Sequence, residues 1–244
     1  MPYIKSTFYS GLAWLLAGVL SSCSIIGKGR LHSEYGDRPG AAGFKTVVLD
    51  AGHGGRDSGA RANGIYEKNV CLDLVKRMEK DLSRDFNVVL VRDDDTFVPL
   101  DDRVKKASRY GDAVLVSVHF NHGRRRLAGP ETFYWRSDSY SLAKRIQKNL
   151  NDATVSKSGN RGLVRRRLRL TRNPQIPCVL LEAGYLTSAR EAKAIKNEGY
   201  REKLARGIAN AIRDQAAFGD QGMGTIPPPI YMPPSKASDP RGSL

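Results

Sequence analysis

Three apolar runs in this chain, each the length of one buried strand, finish on a side chain that binds metals or moves protons. Val47-Val48-Leu49-Asp50 opens into Ala51-Gly52-His53-Gly54-Gly55, Ala113-Val114-Leu115-Val116-Ser117-Val118 ends on His119, and Cys178-Val179-Leu180-Leu181 ends on Glu182. Short apolar runs separated by stretches of helical spacing restrict the chain to layered α/β folds with a largely parallel sheet. In such sheets ligands collect beyond the carboxyl ends of the strands, where these three residues fall. The glycines beside His53 let the backbone turn sharply and approach a ligand closely. Glu67 follows at the expected start of a helix.

The periodicity predicts strands over residues 46–49, 87–91, 113–119, 131–135, 163–170 and 178–182. Helices are expected over 67–82, 99–110, 139–151, 189–196 and 200–217. In the first, Val70, Leu74, Val75, Met78 and Leu82 recur at helical spacing, and Leu142, Ile146 and Leu150 do so in the third. One α/β domain over residues 44–218 accounts for all of them. From Gly219 the chain turns Pro-, Gly- and Ser-rich, with Pro227-Pro228-Pro229 and Pro233-Pro234, and 219–244 reads as a disordered tail.

The N-terminus reads as a targeting segment. Lys5 precedes an apolar run over residues 11–20, too short to span a bilayer comfortably. Leu20-Ser21-Ser22-Cys23 resembles a bacterial lipoprotein cleavage box. The resemblance implies removal of residues 1–22, lipidation of Cys23, a tether over 23–43 and a periplasmic protein anchored to a membrane. Ser24 in place of Asp favours the outer membrane, and a plain secretory signal is the competing reading. Three cysteines are too few for a disulfide framework. Cys71 and Cys178 read as buried fillers, with a bridge between them as the alternative in an exported chain. The net charge of +15 calls for an anionic partner or surface.

Two histidines and a glutamate form a catalytic zinc set, with the fourth position left to water. His53, Glu67 and His119 supply it. A further carboxylate must then take a proton and hand it to a leaving group. Glu182, ending a hydrophobic strand, suits that task because low-dielectric surroundings raise a carboxyl pKa. The spacing is not the helical H-E-x-x-H of metalloproteases. Each residue also has a structural reading: His53 as a turn residue, Glu67 as a helix-dipole partner, His119 as a core histidine, Glu182 as an arginine-paired carboxylate.

The run from Val48 to Ala60 resembles the opening motif of the zinc-dependent N-acetylmuramoyl-L-alanine amidases of type 3, a family of bacterial cell-wall hydrolases. Glu67-Lys68-Asn69, Val91-Arg92-Asp93-Asp94-Asp95 with Leu100 and Arg103, and Ser117-Val118-His119-Phe120-Asn121 are similar to later motifs of that family. So are Asn160-Arg161-Gly162-Leu163 and the run from Pro177 to Thr187. The resemblance covers about residues 44–216. It implies a twisted mixed sheet with helices on both faces, one zinc ion on His53, Glu67 and His119, and Glu182 as catalytic carboxylate. The implied reaction cuts the amide between N-acetylmuramic acid and L-alanine in peptidoglycan or muropeptides. His122 stands where the family has a small residue and is assigned to the rim. Tyr185 and Ser188 are further departures. Some relatives carry an inserted helix that plugs the site; residues 136–159 leave room for one ordinary helix, so no plug is expected.

Arg124, Arg125, Arg126, Arg161, Arg165, Arg166, Arg167, Arg169 and Arg172 form a basic belt. Export and the lack of interleaved aromatics argue against nucleic acid as its partner. Asn121, Arg161, Arg165 and Arg166 are the expected substrate-binding residues, because the planar guanidinium grips carboxylates of stem peptides. Two other functions fit the same residues: a zinc peptidase acting within the stem peptide, and a non-catalytic wall-binding lipoprotein. An activator is not identifiable from the sequence.

Overall fold

β-Branched runs pair and amphipathic stretches cover them. The computed structural model describes residues 39–155 and 159–236. In chain order the strands are β1 (Thr46–Ala51), β2 (Arg61–Ala62), β3 (Ile65–Tyr66), β4 (Asn87–Leu90), β5 (Ala113–Asn121), β6 (Glu131–Tyr134), β7 (Gly162–Arg165) and β8 (Cys178–Tyr185). The helices are α1 (Glu67–Leu82), α2 (Leu100–Ala107), α3 (Tyr140–Ala153), α4 (Arg169–Arg172), α5 (Ala189–Lys196) and α6 (Glu198–Phe218). Six strands make one sheet in the order β4-β1-β5-β8-β6-β7, while β2 and β3 form a small separate hairpin. β4, β1, β5 and β8 run parallel; β6 runs antiparallel to β8, with β7 parallel to β6. The mixed, largely parallel sheet expected above is therefore the one observed.

Period-two alternation divides the sheet residues between two cores. Val47, Leu49, Val116, Val118, Val179 and Leu181 pack with α1, α3, α5 and α6. Val48, Leu115 and Cys178 pack on the other face with Ala107 of α2 and Leu170 of α4. That second face has a much lighter helical cover. Asp50, Ser117, His119 and Glu182 share its parity, so the strand ends point their polar groups into the opening the cover leaves.

Two sequence expectations need correction, and one alternative falls away. The run over 163–170 is not one strand: β7 stops at Arg165 and α4 begins at Arg169. The Thr171 hydroxyl donates to Arg166 O (2.7 Å) and accepts from Leu168 N (2.9 Å), which folds the backbone into a turn. The alternative of a Cys71–Cys178 bridge is excluded, since both thiols are free and buried in the cores on opposite faces of the sheet. Over the described residues 219–236 the tail forms no helix or strand, yet it is held along the arginine belt. Arg165 Nη1 donates to Pro228 O (2.8 Å), Arg167 Nη1 to Pro233 O (3.3 Å) and Arg169 Nη1 to Ser235 O (2.8 Å). Arg172 Nε donates to Met232 O (2.9 Å), and Asn173 exchanges two bonds with the Ser235 backbone. Arginine offers donors only, and proline offers a carbonyl without an N–H, so the two compositions complement each other.

The end of the expected tether is also tied down. Gly40 N donates to Asp220 Oδ2 (2.7 Å), and Gly43 N to Ala216 O (2.8 Å) near the end of α6. The targeting segment and Cys23 lie outside the described residues. Among those described, no helix is long and apolar enough to cross a membrane.

Candidate active site

The site begins with a turn that a regular strand cannot make. After β1 the backbone enters Gly52-His53-Gly54-Gly55, and His53 itself takes φ +60°. A non-glycine residue in the left-handed region is strained and persists only where its surroundings fix it. Two buried arginines do so. Ala51 O accepts from Arg92 Nε (2.9 Å) and Arg103 Nη1 (2.8 Å), Gly52 O from Arg92 Nη2 (2.7 Å), and His53 O from Arg103 Nη2 (2.6 Å). Three successive carbonyls that have left the sheet are thereby satisfied. Arg103 also pairs with fully buried Asp50 (2.6 Å), whose other oxygen accepts from the Ser117 hydroxyl (2.6 Å).

This clamp presents His53 to Glu67 at the first turn of α1 and to His119 near the end of β5. His53 Nε2 lies 3.0 Å and His119 Nδ1 2.9 Å from Glu67 Oε1. The three ligand atoms all fall within 4.8 Å of one another. Glu67 Oε2 accepts from Ala60 N (2.8 Å), so Oε1 is the oxygen turned to both rings. His53 Nδ1 is held by Asp57 Oδ2 (2.8 Å), which leaves Nε2 free to ligate. An outer carboxylate that orients a ligating imidazole is a recurring feature of zinc sites. Two imidazoles, one carboxylate and an outer partner therefore fit a zinc-type ion. Space is equally restrictive: a Cβ on Gly59, where φ is +62°, would lie 2.5 Å from His53 Cδ2 and 2.6 Å from Glu67 Oε2. One on Gly52 would lie 2.4 Å from the His119 ring.

Glu67 and His53 each favour the charged form of the other. Burial works against ionised Glu67, but the two imidazoles outweigh it and hold its pKa well below the usual carboxylate range. Burial likewise disfavours charged His53, yet Glu67 and Asp57 raise its pKa overall. A dication would compete with protons for these ligand atoms. Replacing Asp57 by Ala is expected to weaken zinc binding about 10- to 100-fold, read by competition with a chromophoric chelator. Unchanged affinity would mean that the Asp57 bond does not orient His53.

Glu182 stands beside this cluster as the register partner of His119 across β5 and β8. Burial pushes its carboxyl well above the ordinary range, and the charges of Glu67 and Glu131 push it further. Its Oε2 is buried without a hydrogen-bond partner among the described residues, so it is available to a reacting group. The sequence reading missed Glu131. It is the register partner of Glu182 across β6 and β8, is itself buried, and lies 3.6 Å from Arg161 Nε.

A cleft of about 730 Å³ opens over this set, and Asn121, His122, Arg161, Arg166 and Tyr185 are among its walls. The Asn121 amide donates to the Tyr185 hydroxyl (3.1 Å). Arg165 does not reach the cleft. It alternates with Val164 of β7 and with Arg166 just beyond the strand, and its guanidinium bonds to Trp135 O (2.9 Å) and the tail. The belt is thus divided: Arg161 and Arg166 at the cleft, Arg165, Arg167, Arg169 and Arg172 at the tail, Arg124, Arg125 and Arg126 exposed.

Known proteins resemble this chain in sequence and fold. The sequence model of the N-acetylmuramoyl-L-alanine amidase family matches residues 47–214. The catalytic domain of CwlV, an N-acetylmuramoyl-L-alanine amidase from Bacillus (Paenibacillus) polymyxa var. colistinus, superposes with a TM-score of 0.67 at 38% identity, covering 70% of this chain and 97% of that domain. The endolysin of Bacillus phage SPP1 is 36% identical over 194 residues, 75% of this chain and 70% of its own length. The probable cell wall amidase LytH of Staphylococcus aureus is 35% identical over 176 residues, 69% of this chain and 57% of its own. The turn that carries His53, the glutamate at the head of α1 and the strand ends at His119 and Glu182 all lie inside the matched span, and the chain belongs to the N-acetylmuramoyl-L-alanine amidase family of cell-wall hydrolases.

Proposed function

We propose that the protein is a zinc-dependent amidase that cuts the bond between N-acetylmuramic acid and the L-alanine of the stem peptide, working in the bacterial envelope on a lipid tether at Cys23. The observation that carries this reading is the pairing of a three-ligand cluster with a buried carboxyl whose Oε2 has no partner among the described residues. His53 Nε2, Glu67 Oε1 and His119 Nδ1 would hold the metal. When bound, zinc would polarise the scissile carbonyl and acidify a water. Glu182 Oε2 accepts a proton from the attacking water and returns it to the leaving nitrogen, the exchange suited to a carboxyl of raised pKa. Arg161 and Arg166 bind carboxylates of the stem peptide.

A soluble fragment beginning at Ser24 and loaded with zinc, incubated with purified peptidoglycan, is expected to release intact stem peptides starting at L-alanine. Mass spectrometry reads the product, and chelation should remove it. Shortened stem peptides would instead make the protein a peptidase. Binding to the wall with zinc in place and no product would make it a wall-binding lipoprotein. The anchor has its own test: metabolic labelling with a fatty-acid probe should mark the full chain and not Cys23→Ala.

A further inference from the structure

The cleft is not the only cavity at the cluster. A second, of about 340 Å³, shares His53 and His119 with it, while Glu67 and Glu182 line only the first. Its remaining wall is largely apolar, with Phe97 and Val98 from the chain entering α2, Leu100 from its first turn and Leu170 from α4, while Asp57 and Arg103 are its charged members. Phe97 and Leu100 belong to neither hydrophobic core, and Leu100 is 50% exposed. Core packing therefore does not account for these two side chains: the Phe97 ring is met by the Arg56 guanidinium, 4.0 Å from its centroid, and Leu100 leaves apolar surface beside the cluster.

The direction in which a substrate lies follows from the position of one carboxyl. Amide hydrolysis forms a bond from water oxygen to the carbonyl carbon and breaks the carbon–nitrogen bond. The proton released by the water must reach the leaving nitrogen. Glu182 serves that transfer, and it lines the first cavity and not the second. The amine side of the scissile bond must therefore lie over the first cavity, within hydrogen-bond reach of Glu182. The acyl side must then extend past His53 and His119 in the opposite sense. Charge gives the same direction independently. Arg161 and Arg166 line the first cavity, where the leaving peptide brings carboxylates. The acyl half is an uncharged sugar with its lactyl ether, whose methyl and ring C–H faces suit an apolar wall.

We propose that the pocket of Phe97, Val98, Leu100 and Leu170 is the acyl-side subsite, holding the lactyl-glycan half of the substrate while the stem peptide lies over Arg161 and Arg166. The assignment rests on the amidase reading above. It makes the enzyme a two-ended clamp, apolar for glycan and cationic for peptide.

The test uses zinc-loaded protein carrying Glu182→Gln, so that binding is read without turnover. Two probes are titrated by calorimetry: a peptide-free oligosaccharide of alternating N-acetylglucosamine and N-acetylmuramic acid with its lactyl carboxyls capped as methylamides, so that it is uncharged like the acyl half of the substrate, and a free stem tetrapeptide. Phe97→Ser with Leu100→Ser is expected to weaken oligosaccharide binding about ten-fold or more, the equivalent of about 1.4 kcal/mol, and to leave peptide binding within about two-fold. Arg161→Ala with Arg166→Ala should produce the converse. Because Phe97 and Leu100 lie outside the cores, their replacement should leave the melting transition near that of the parent. The proposal is overturned if the two pairs of variants act on the opposite probes, if they act on both alike, or if the parent binds no oligosaccharide at millimolar concentration. Failure of the amidase reading is a separate result, seen in turnover as shortened stem peptides.

Discussion

Glu182→Gln is expected to lower turnover on peptidoglycan by about 10²- to 10⁴-fold, the range associated with loss of one positioned proton-transfer group. Metal content and wall binding should stay unchanged, because Glu182 is not among the three clustered ligand atoms. The same substitution makes a prediction about stability that a purely structural role would not. The carboxyl is raised by burial and by neighbouring Glu67 and Glu131. Below the ordinary carboxylate pKa both folded and unfolded states hold the proton, so wild type and variant are penalised alike. As pH rises past that value the unfolded chain loses its proton while the folded one retains it, and wild-type stability falls. The amide has no such dependence. In chelated protein the melting temperature of the variant should therefore exceed that of wild type by a margin that is small near pH 4 and widens towards neutrality. A constant margin, or one that narrows, would show that Glu182 is not held protonated.

The second large effect lies in the clamp beneath the His53 turn. Arg103→Met removes the cation from buried Asp50 and the donors from Ala51 O, His53 O and Val98 O in one step. Breaking a buried pair by removing one partner costs about 3–5 kcal/mol. For a domain of this size that lowers the melting temperature by roughly 6–20 °C. Removing the orphaned charge as well, with Asp50→Ala, should recover part of the lost stability. It should not recover zinc affinity, since the His53 carbonyl still lacks its donor and the strained turn is released. Full recovery of both would show that the arginine serves only to neutralise Asp50.

What could be read in advance, and what could not, separates along physical lines. His53, His119 and Glu182 were legible because each ends an apolar run, and a strand end is a local property of the chain. Glu67 was legible as an acidic residue opening a helix. Glu131 was not, because its role comes from an antiparallel register with Glu182 set by a pairing 51 residues away. Asp57 and the carbonyls held by Arg92 and Arg103 became visible only once the turn had a shape. The error over Arg165 had a remedy in the sequence: adjacent strand residues face opposite ways, so Arg165 and Arg166 cannot both line one cleft. The tail was expected to be disordered, and composition does not reveal that its carbonyls over residues 228–235 meet a row of donors.

That row of donors carries a consequence of its own. A carboxylate strap would have fixed the arginines and cancelled them. Carbonyls of Pro228, Met232, Pro233 and Ser235 accept from four guanidiniums, and a carbonyl brings no formal charge to the face it holds. The strap thus stiffens this face without adding negative charge of its own. Whatever field the face carries is screened over about 8–10 Å at physiological ionic strength. A polyanion approaching it would meet donors already held in place by neutral backbone.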